Sequence, residues 1–132
     1  MKTILSDSTF VALRNSAEIL RSELSGIRPV VFALVEDANA LCGCDLYDKV
    51  VGRAVAMLAV YGGAASVHAV MMSDTAEEVL KTHGIFYEYL EKTPFIKNRD
   101  GSGMCPMEKI SQECKSPEEA YDKLSAAINN KK

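Results

Sequence analysis

The chain has 132 residues, of which 48% are hydrophobic and 25% charged, and its formal net charge is −3. This composition is typical of a compact globular protein, so we expect a single domain over residues 1–132. The acidic balance and the scattered lysines exclude a protein that holds nucleic acid by charge alone. No apolar run approaches the ~20 residues of a membrane span, and MKTILSDST becomes polar too soon for a signal peptide. We therefore expect a cytoplasmic protein that binds neither nucleic acid nor membranes.

The first forty residues leave two interpretations open. Phe10, Leu13, Ala17 and Leu20 recur at helical spacing, whereas TFVALR and EILRSEL flank the polar residues NSA and would also suit two strands joined by a turn. Periodicity alone favours the helix. After SGIRP, the segment VVFALVEDANAL is equally ambiguous, although Pro29 suits the first turn of a helix.

The stretch DKVVGRAVAMLAVYGG predicts a helix from about 47 to 61. Asp48 would open it, and the double glycine would end it. Because the stretch is apolar on nearly every face, we expect the helix to be central and buried. Gly52 inside such a helix costs about 1 kcal/mol relative to alanine, so we expect a neighbouring group or a ligand to pack closely against it.

The segment SVHAVMMS predicts a strand over 66–72 that is buried on both faces. A short helix follows, with Ser73 and Asp74 as candidate N-caps and HG at positions 83 and 84 as its end. IFYEYLE, residues 85–91, is β-branched and aromatic and predicts a second strand. Together these segments predict a βαβ unit with a parallel pair of strands and a right-handed crossover.

The run SPEE opens the last predicted helix. Ser116 is the candidate N-cap, Pro117 takes the first helical position and Glu119 the third. The apolar residues of this helix are expected to face inward: Ala120, Leu124, Ala127 and Ile128.

Four stretches, SGIRP, DKVVGRA, SDTAEEVLKTHGI and NRDGSGMCPME, together resemble a prokaryotic family of uncharacterised small proteins with the cytidine-deaminase-like fold. The resemblance covers residues 9 to about 120, and DKVVGRA and NRDGSGMCPME are its most specific parts. It implies an N-terminal hairpin with strands near 9–13 and 18–23, and a helix after SGIRP. We therefore expect an α/β domain of three α-β-α layers, in which a mixed sheet contains the hairpin and the parallel βαβ strands and carries helices on both faces.

The resemblance raises the question of a catalytic zinc. A zinc deaminase needs a His or Cys two residues before a Glu at one helix start, and a P-C-x-x-C motif at the next. Neither motif is present, and Cys42 and Cys44 form a C-x-C that would need two further ligands. We therefore expect no metal and no other cofactor. We interpret His68 and His83 as a packed and a helix-end histidine.

The chain has four cysteines, and the last two are Cys105 and Cys114. Four are too few for a secreted disulfide scaffold, so we expect reduced thiols. If Cys105 caps a helix that starts at the following proline, Glu108 falls at its third position, and CPME is a thiol form of the S-x-x-E capping box. Cysteine caps poorly compared with Ser, Asp or Asn, which argues for a chemical role. The helix dipole with Arg99 or Lys49 would favour a reactive thiolate, which Glu108 would oppose. Both interpretations stay open.

The loop before this cysteine is a candidate anion site, because a sharp turn would expose backbone N–H groups beside a guanidinium. The residues concerned are Asn98, Arg99, Gly101 and Gly103. A plain tight turn, with Arg99 and Asp100 solvated or paired with each other, is the alternative that the sequence favours. Asp48 and Lys49 could line a cleft with the loop, or Asp48 could only cap its helix.

Two functions stay open. The first is a metal-independent, deaminase-like domain that binds a nucleotide-like or other anionic small metabolite through Lys49, Gly52 and the loop. The second is a metal-independent hydrolase or transferase with Cys105 as nucleophile and Asp48 or Glu108 as proton carrier. The first is favoured because no histidine lies close to the thiol in the sequence, and either is compatible with a homo-oligomer. In both, one set of side chains should converge at one end of the sheet: Asp48, Lys49, Arg99, Cys105 and Glu108.

Overall fold

The computed structural model describes residues 2–97 and 101–129. Within them, five strands form one sheet: β1 (Phe10–Arg14), β2 (Ala17–Ser22), β3 (Asp45–Val51), β4 (Ser66–Ser73) and β5 (Phe86–Thr93). Their order across the sheet is β2-β1-β3-β4-β5. β1 runs antiparallel to β2 and β3, whereas β3, β4 and β5 run parallel to one another. The sheet is therefore mixed, as expected.

Six helices occur in the same part of the chain: α1 (Lys2–Leu5), α2 (Arg28–Glu36), α3 (Arg53–Gly62), α4 (Asp74–Thr82), α5 (Pro106–Gln112) and α6 (Pro117–Asn129). α3 is central, because it contacts α2, α4, α5 and α6. α1 packs on β1 and β3 from the other side of the sheet. The fold is thus α/β with helices on both sides of the sheet. The layer on the α1 side consists of that one-turn helix in the described part of the chain. No helix in these two ranges is long and apolar enough to cross a membrane.

The core lies between the sheet and the layer of α2 to α6. Its large side chains are almost completely buried, and they include Phe10, Leu34, Leu46, Leu58, Met72 and Leu124. Burying a side chain of this size stabilises the fold by about 1.5–3 kcal/mol. α3 contributes every residue from 54 to 59 to this core, which explains why its sequence is apolar on all faces.

The predicted helix from 47 to 61 is wrong in its first part. Residues 45–51, DLYDKVV, form β3, and α3 begins only at Arg53, after Gly52. The segment contains valines and a tyrosine, and it pairs with β1 on one side and β4 on the other. Two-sided pairing outweighs the weak helix preference of this short stretch. Asp48 and Lys49 therefore lie in a strand, and Asp48 caps no helix.

The N-terminal hairpin is confirmed, with β1 and β2 close to the strands expected near 9–13 and 18–23. Asn15 and Ser16 connect them, with φ angles of 52° and 68°. Positive φ at both central residues is what a type I′ turn requires, and such turns match the twist of a two-stranded hairpin. The first three residues of β1 are all buried. Apolar residues on both faces of the strand account for the misleading helical spacing.

The β4-α4-β5 unit confirms the predicted parallel pair of strands. Ser73 caps α4, because its Oγ accepts the N–H of Ala76 at 3.1 Å. At the other end, His83 Nδ1 lies 2.9 Å from the carbonyl oxygen of Val79. The helix-end position expected for His83 is therefore confirmed.

The remaining two predicted helix starts are confirmed as well. Pro29 lies in the first turn of α2. At α6, the Oγ of Ser116 accepts the N–H of Glu119 at 3.1 Å, and Glu119 Oε1 accepts the N–H of Lys115 at 3.0 Å. Such reciprocal bonds satisfy N–H groups that a helix start otherwise leaves without partners.

Candidate functional site

A cavity of about 230 Å³ lies where the second half of β3 meets the starts of α3 and α5. We call it the Asp48 cavity. Its lining consists of Thr9, Ser25, Gly26, Ile27, Asp48, Lys49, Val50, Gly52, Val55, Ile96, Cys105, Met107 and Glu108. It therefore lies at the carboxyl end of the parallel strands, which is where α/β sheets usually bind ligands.

The structure places five of the predicted site residues around this cavity: Asp48, Lys49, Gly52, Cys105 and Glu108. Gly101 and Gly103 do not line it. Asn98 and Arg99 lie outside the described residues. Residues from two distant parts of the chain thus meet, although Asp48 and Lys49 come from a strand and not from a helix start. The roles assigned to all of them stay predictions.

Asp48 is the buried acid of the cavity, with 5% of its surface exposed. Its Oδ1 accepts the N–H of Val50 at 3.3 Å, whereas its Oδ2 has no hydrogen-bond partner among the residues that the structure describes. Burial raises the pKa of Asp48 well above its ordinary value, and backbone N–H groups of Val50 and Lys49 oppose the rise. Buried polar atoms are normally paired, so this oxygen is an exception that requires an explanation.

Glu108 caps α3 from a different helix. Its Oε1 accepts the N–H of Arg53 at 2.7 Å, and its Oε2 accepts the N–H of Ala54 at 2.9 Å. These are among the first N–H groups of α3, which have no partner within the helix. Burial raises the pKa of Glu108, and the two amides and the Arg53 guanidinium oppose the rise. Glu108 is thus a structural residue of the cavity wall in this arrangement.

Gly52 confirms the expectation of a close neighbour. A Cβ at this position would overlap the carboxylate of Glu108 and lie 2.6 Å from Cγ1 of Ile96. Gly52 is the N-cap of α3 with extended backbone angles, φ −100° and ψ −174°, which other residues can adopt. Space, and not backbone conformation, therefore explains the glycine.

Cys105 is the N-cap of α5, but its side chain makes no capping hydrogen bond. The predicted thiol capping box is wrong, because the Cys105 N–H donates to the carbonyl of Ile96 at 2.9 Å and Glu108 turns to α3. The Cys105 thiol is unpaired and half-buried at the cavity. Burial raises the pKa of the Cys44 and Cys114 thiols, which lie elsewhere.

Arg53 is not among the residues predicted from the sequence, although it completes the junction of α3 and α5. Its guanidinium donates to the carbonyl of Ser111, and to that of Cys114 at 3.2 Å. A cation at a helix start is disfavoured by the helix dipole. Had the helix been predicted to begin at Arg53, the unfavourable position of this cation would have indicated a partner outside its own helix.

A second polar cluster lies away from the cavity, at the amino ends of β3, β4 and β5. His68 is 8% exposed, its Nε2 lies 2.8 Å from the Oγ of Ser66, and its Nδ1 contacts Glu88. Ser66 donates to Asp45 at 2.6 Å, and the His68 ring stacks on Tyr47 at 4.3 Å. None of these residues lines the Asp48 cavity. The packed role expected for His68 is confirmed, and the cluster links three strands.

Residues 2–97 and 101–129 contain no group of three His, Cys, Asp or Glu side chains that could hold a metal ion. Within the cavity, both carboxylate oxygens of Glu108 are already bound to backbone amides. The carboxylate of Glu108 is therefore used for hydrogen bonds to the backbone of α3.

The sequence profile of one protein family, described as TM1506, a domain of unknown function (DUF1893), matches residues 2–128. The chain belongs to the DUF1893 family. A crystal structure of a DUF1893 protein, TM1506 from Thermotoga maritima, determined at 2.70 Å, is similar to it with a TM-score of 0.84 and 32% identity. The match covers 92% of this chain and 81% of that one. No protein with a curated description matches. This DUF1893 domain therefore shares its α/β fold with a solved relative.

Proposed function

We propose that this protein is a metal-independent domain of the cytidine-deaminase-like fold that binds a nucleotide-like or other anionic small metabolite in the Asp48 cavity. Two features support the fold assignment: the mixed sheet, and the meeting of two helix starts at one cavity. Zinc deaminases carry their metal ligands and catalytic glutamate in such a place. In this protein the start of α3 carries Gly52 and Arg53, and the start of α5 carries Cys105 and Glu108.

The free Oδ2 of Asp48 is the observation that carries this proposal. A buried polar atom without a partner costs about 1–3 kcal/mol of stability. A ligand that donates an N–H or O–H to this oxygen would offset the cost, and nucleobase edges offer such groups. Val55, Ile96 and Met107 supply an apolar wall for a flat ring. Few polar groups in an apolar lining are typical of small-molecule sites.

The proposal is tested with nucleosides and nucleoside monophosphates, by thermal shift and isothermal titration calorimetry. We expect at least one of them to stabilise the protein, and Asp48→Asn to weaken its binding about tenfold, which corresponds to the loss of one buried hydrogen bond. Asp122→Asn, at an exposed position of α6, is the matched control. If no nucleoside or nucleotide binds, the nucleotide assignment is wrong. If Asp48→Asn binds as tightly as Asp122→Asn, Asp48 does not contact the ligand.

The alternative, an enzyme with Cys105 as nucleophile, is supported by the shared cavity of Cys105 and Asp48, in which the carboxylate could accept the thiol proton. In that case iodoacetamide should alkylate Cys105 faster than Cys42, the exposed cysteine, and a bound anion should protect it. Cys105→Ser should then abolish turnover and spare affinity. A Cys105 that reacts more slowly than Cys42 would remove the reactive-thiol hypothesis.

A further inference from the structure

The two edges of the sheet differ in how they are protected. The sheet ends in β2 on one side and in β5 on the other. Edge strands present unpaired N–H and C=O groups, and proteins usually protect them with bulges, prolines, charged side chains or a covering segment. At the β2 edge, the pairing with β1 shifts register between Ala12 and Leu13, as at a β-bulge, and Arg21 forms an ion pair with Glu18. The β2 edge is therefore protected.

The β5 edge lacks this protection. The strand has eight residues, FYEYLEKT, contains no proline and pairs with β4 from Phe86 to Thr93 without a shift of register. Its lysine is held by α4, since Lys92 Nζ lies 3.1 Å from Asp74 Oδ1 and contacts Glu77. In the described part of the chain, no backbone group of β5 is hydrogen-bonded to the backbone of any segment except β4. The outer edge of β5 is therefore open.

The same strand exposes apolar side chains. Phe86 is 64% exposed, Leu90 54% and Tyr89 36%. A long open edge with exposed apolar residues is a template for another β-strand, whose backbone pairs with the edge and whose side chains cover the apolar groups. A small molecule would leave the row of backbone groups unpaired. The occupant of this edge should therefore be a strand.

The sequence of β5 is complementary to itself when two copies run antiparallel. If Leu90 lies opposite Leu90 of a second copy, Glu88 lies opposite Lys92, and Phe86 lies opposite Pro94, which directly follows β5. This register thus brings apolar side chains opposite apolar ones and a carboxylate opposite an ammonium group. Such cross-strand pairs stabilise antiparallel sheets.

The neighbouring registers are less favourable. Registers that place Glu88, Glu91 or Lys92 opposite its own copy bring like charges together, which destabilises a strand pair. The register with Tyr89 opposite itself places Leu90 opposite Glu88, so that an apolar group meets a charged one. The register centred on Leu90 is therefore favoured.

We infer that this protein forms a symmetric dimer in which the β5 strands of two copies pair antiparallel, with Leu90 on the two-fold axis. Two five-stranded sheets would thereby join into one sheet of ten strands. Two-fold dimers are the commonest oligomers of soluble proteins. Among the described residues, none of β5 lines the Asp48 cavity, so the dimer is independent of the proposed function.

Sedimentation over a wide range of protein concentration tests the dimer. The wild type should form a dimer that dissociates on dilution. Leu90→Lys should abolish the dimer, because it places two like charges opposite each other on the two-fold axis. The matched control is Ile19→Lys, at a residue of the other edge strand that is 42% exposed, and it should leave the dimer intact. Thermal unfolding shows whether both variants are folded.

Three results of this experiment would overturn the inference. The first is a wild type that stays monomeric at the highest concentration that remains in solution. The second is a dimer that survives Leu90→Lys, and the third is a dimer that Ile19→Lys abolishes, since either shows that the copies meet at another surface.

Oxidative cross-linking tests the register, and it does not depend on whether Leu90→Lys folds. Leu90→Cys is made together with Cys42→Ser, because Cys42 is exposed. Directly opposite residues of an antiparallel pair are close enough for a disulfide, so oxidation should link two copies. Phe86→Cys in the same background is the matched control and should not link, because position 86 lies opposite position 94. Equal cross-linking of both variants, or linking of Phe86→Cys alone, would contradict the inferred register.

Discussion

Asp48 is the residue whose environment differs most from what its chemistry favours. Its backbone lies in β3, between β1 and β4, and its carboxyl group is buried, with one oxygen bound to a backbone amide and the other without a partner in the described part of the chain. Burial disfavours the charged form of such a group. Its protonation is therefore linked to the stability of the fold.

Asp48→Asn should increase stability in a pH-dependent way. Because burial raises the pKa of Asp48 in the folded state, the stability that the neutral form contributes is complete below the unfolded value of about 4 and is lost as pH rises through the folded pKa. The variant lacks this loss. Its free energy of unfolding should equal that of the wild type near pH 4 and exceed it by about 1–3 kcal/mol near pH 8.

Urea unfolding at several pH values measures this difference, with Asp122→Asn as a control for the change in net charge. A difference between wild type and Asp48→Asn that does not vary with pH would show that Asp48 does not titrate in this range.

Gly52 is the second residue at which space decides the sequence. Gly52→Ala should lower the free energy of unfolding by about 1–3 kcal/mol, because the new methyl group overlaps the Glu108 carboxylate and Ile96. Gly103→Ala, where no atom of the described residues lies within 4 Å of the added Cβ, should change it by less than about 0.5 kcal/mol. Thermal unfolding of both variants checks this, and equal stabilities would mean that the Glu108 side chain moves aside at no cost.

At the scale of elements, α3 and α5 complete each other. The Glu108 carboxylate, at the start of α5, accepts hydrogen bonds from the first two N–H groups of α3. The Arg53 guanidinium, at the start of α3, donates to the carbonyl groups of Ser111, in α5, and of Cys114, which follows it. The Glu108 carboxylate at the start of α3 and the Arg53 guanidinium at the end of α5 also interact favourably with the dipoles of those two helices. The junction thereby fixes the distance between the two helix starts, and with it the shape of the Asp48 cavity.

Glu108→Gln tests this junction. A glutamine offers one oxygen to two N–H donors and turns its own NH₂ group toward the other, so we expect a loss of about 1–3 kcal/mol in the free energy of unfolding near pH 7. Glu113→Gln makes the same chemical change at the exposed C-cap of the same helix and should be nearly neutral. If Glu108→Gln were equally neutral, Glu108 would already be protonated in the native protein.

In the molecule as a whole, one sheet and its helices form the walls of the Asp48 cavity. The described ranges contain no group of side chains that could hold a metal ion. Structural zinc stabilises a fold outright where it is bound. We expect no stoichiometric zinc in the purified protein and no change of melting temperature on treatment with EDTA. Elemental analysis and thermal unfolding with and without EDTA check this, and one tightly held zinc per chain would contradict it.

Much of the fold could be predicted because its signals are local. The caps at Ser73 and Ser116, the glycine after His83 and the apolar run of β4 each act within a few residues. The hairpin came from the family resemblance, since periodicity favoured a helix. β3 was missed because its seven residues are followed at once by an apolar helix, and its own pairing partners are distant in sequence.

Only some of the residues around the candidate site were predicted from the sequence, and their contacts were not. Unusual chemistry in DKVVGRA and CPME marked Asp48, Cys105 and Glu108, which the fold then places around one cavity. The partner of Glu108 could not be predicted, because its carboxylate binds amides 54 and 55 positions away.

Local signals predict most helix starts, the parallel strand pair and the glycine that needs a close neighbour, because propensity, caps and spacing act within a few residues. The packed fold was needed to show that residues 45–51 are a strand, that Glu108 caps α3 and that Asp48 keeps one buried oxygen without a partner in the described part of the chain. These features depend on groups that are far apart in the chain and meet only when the sheet and its helices pack.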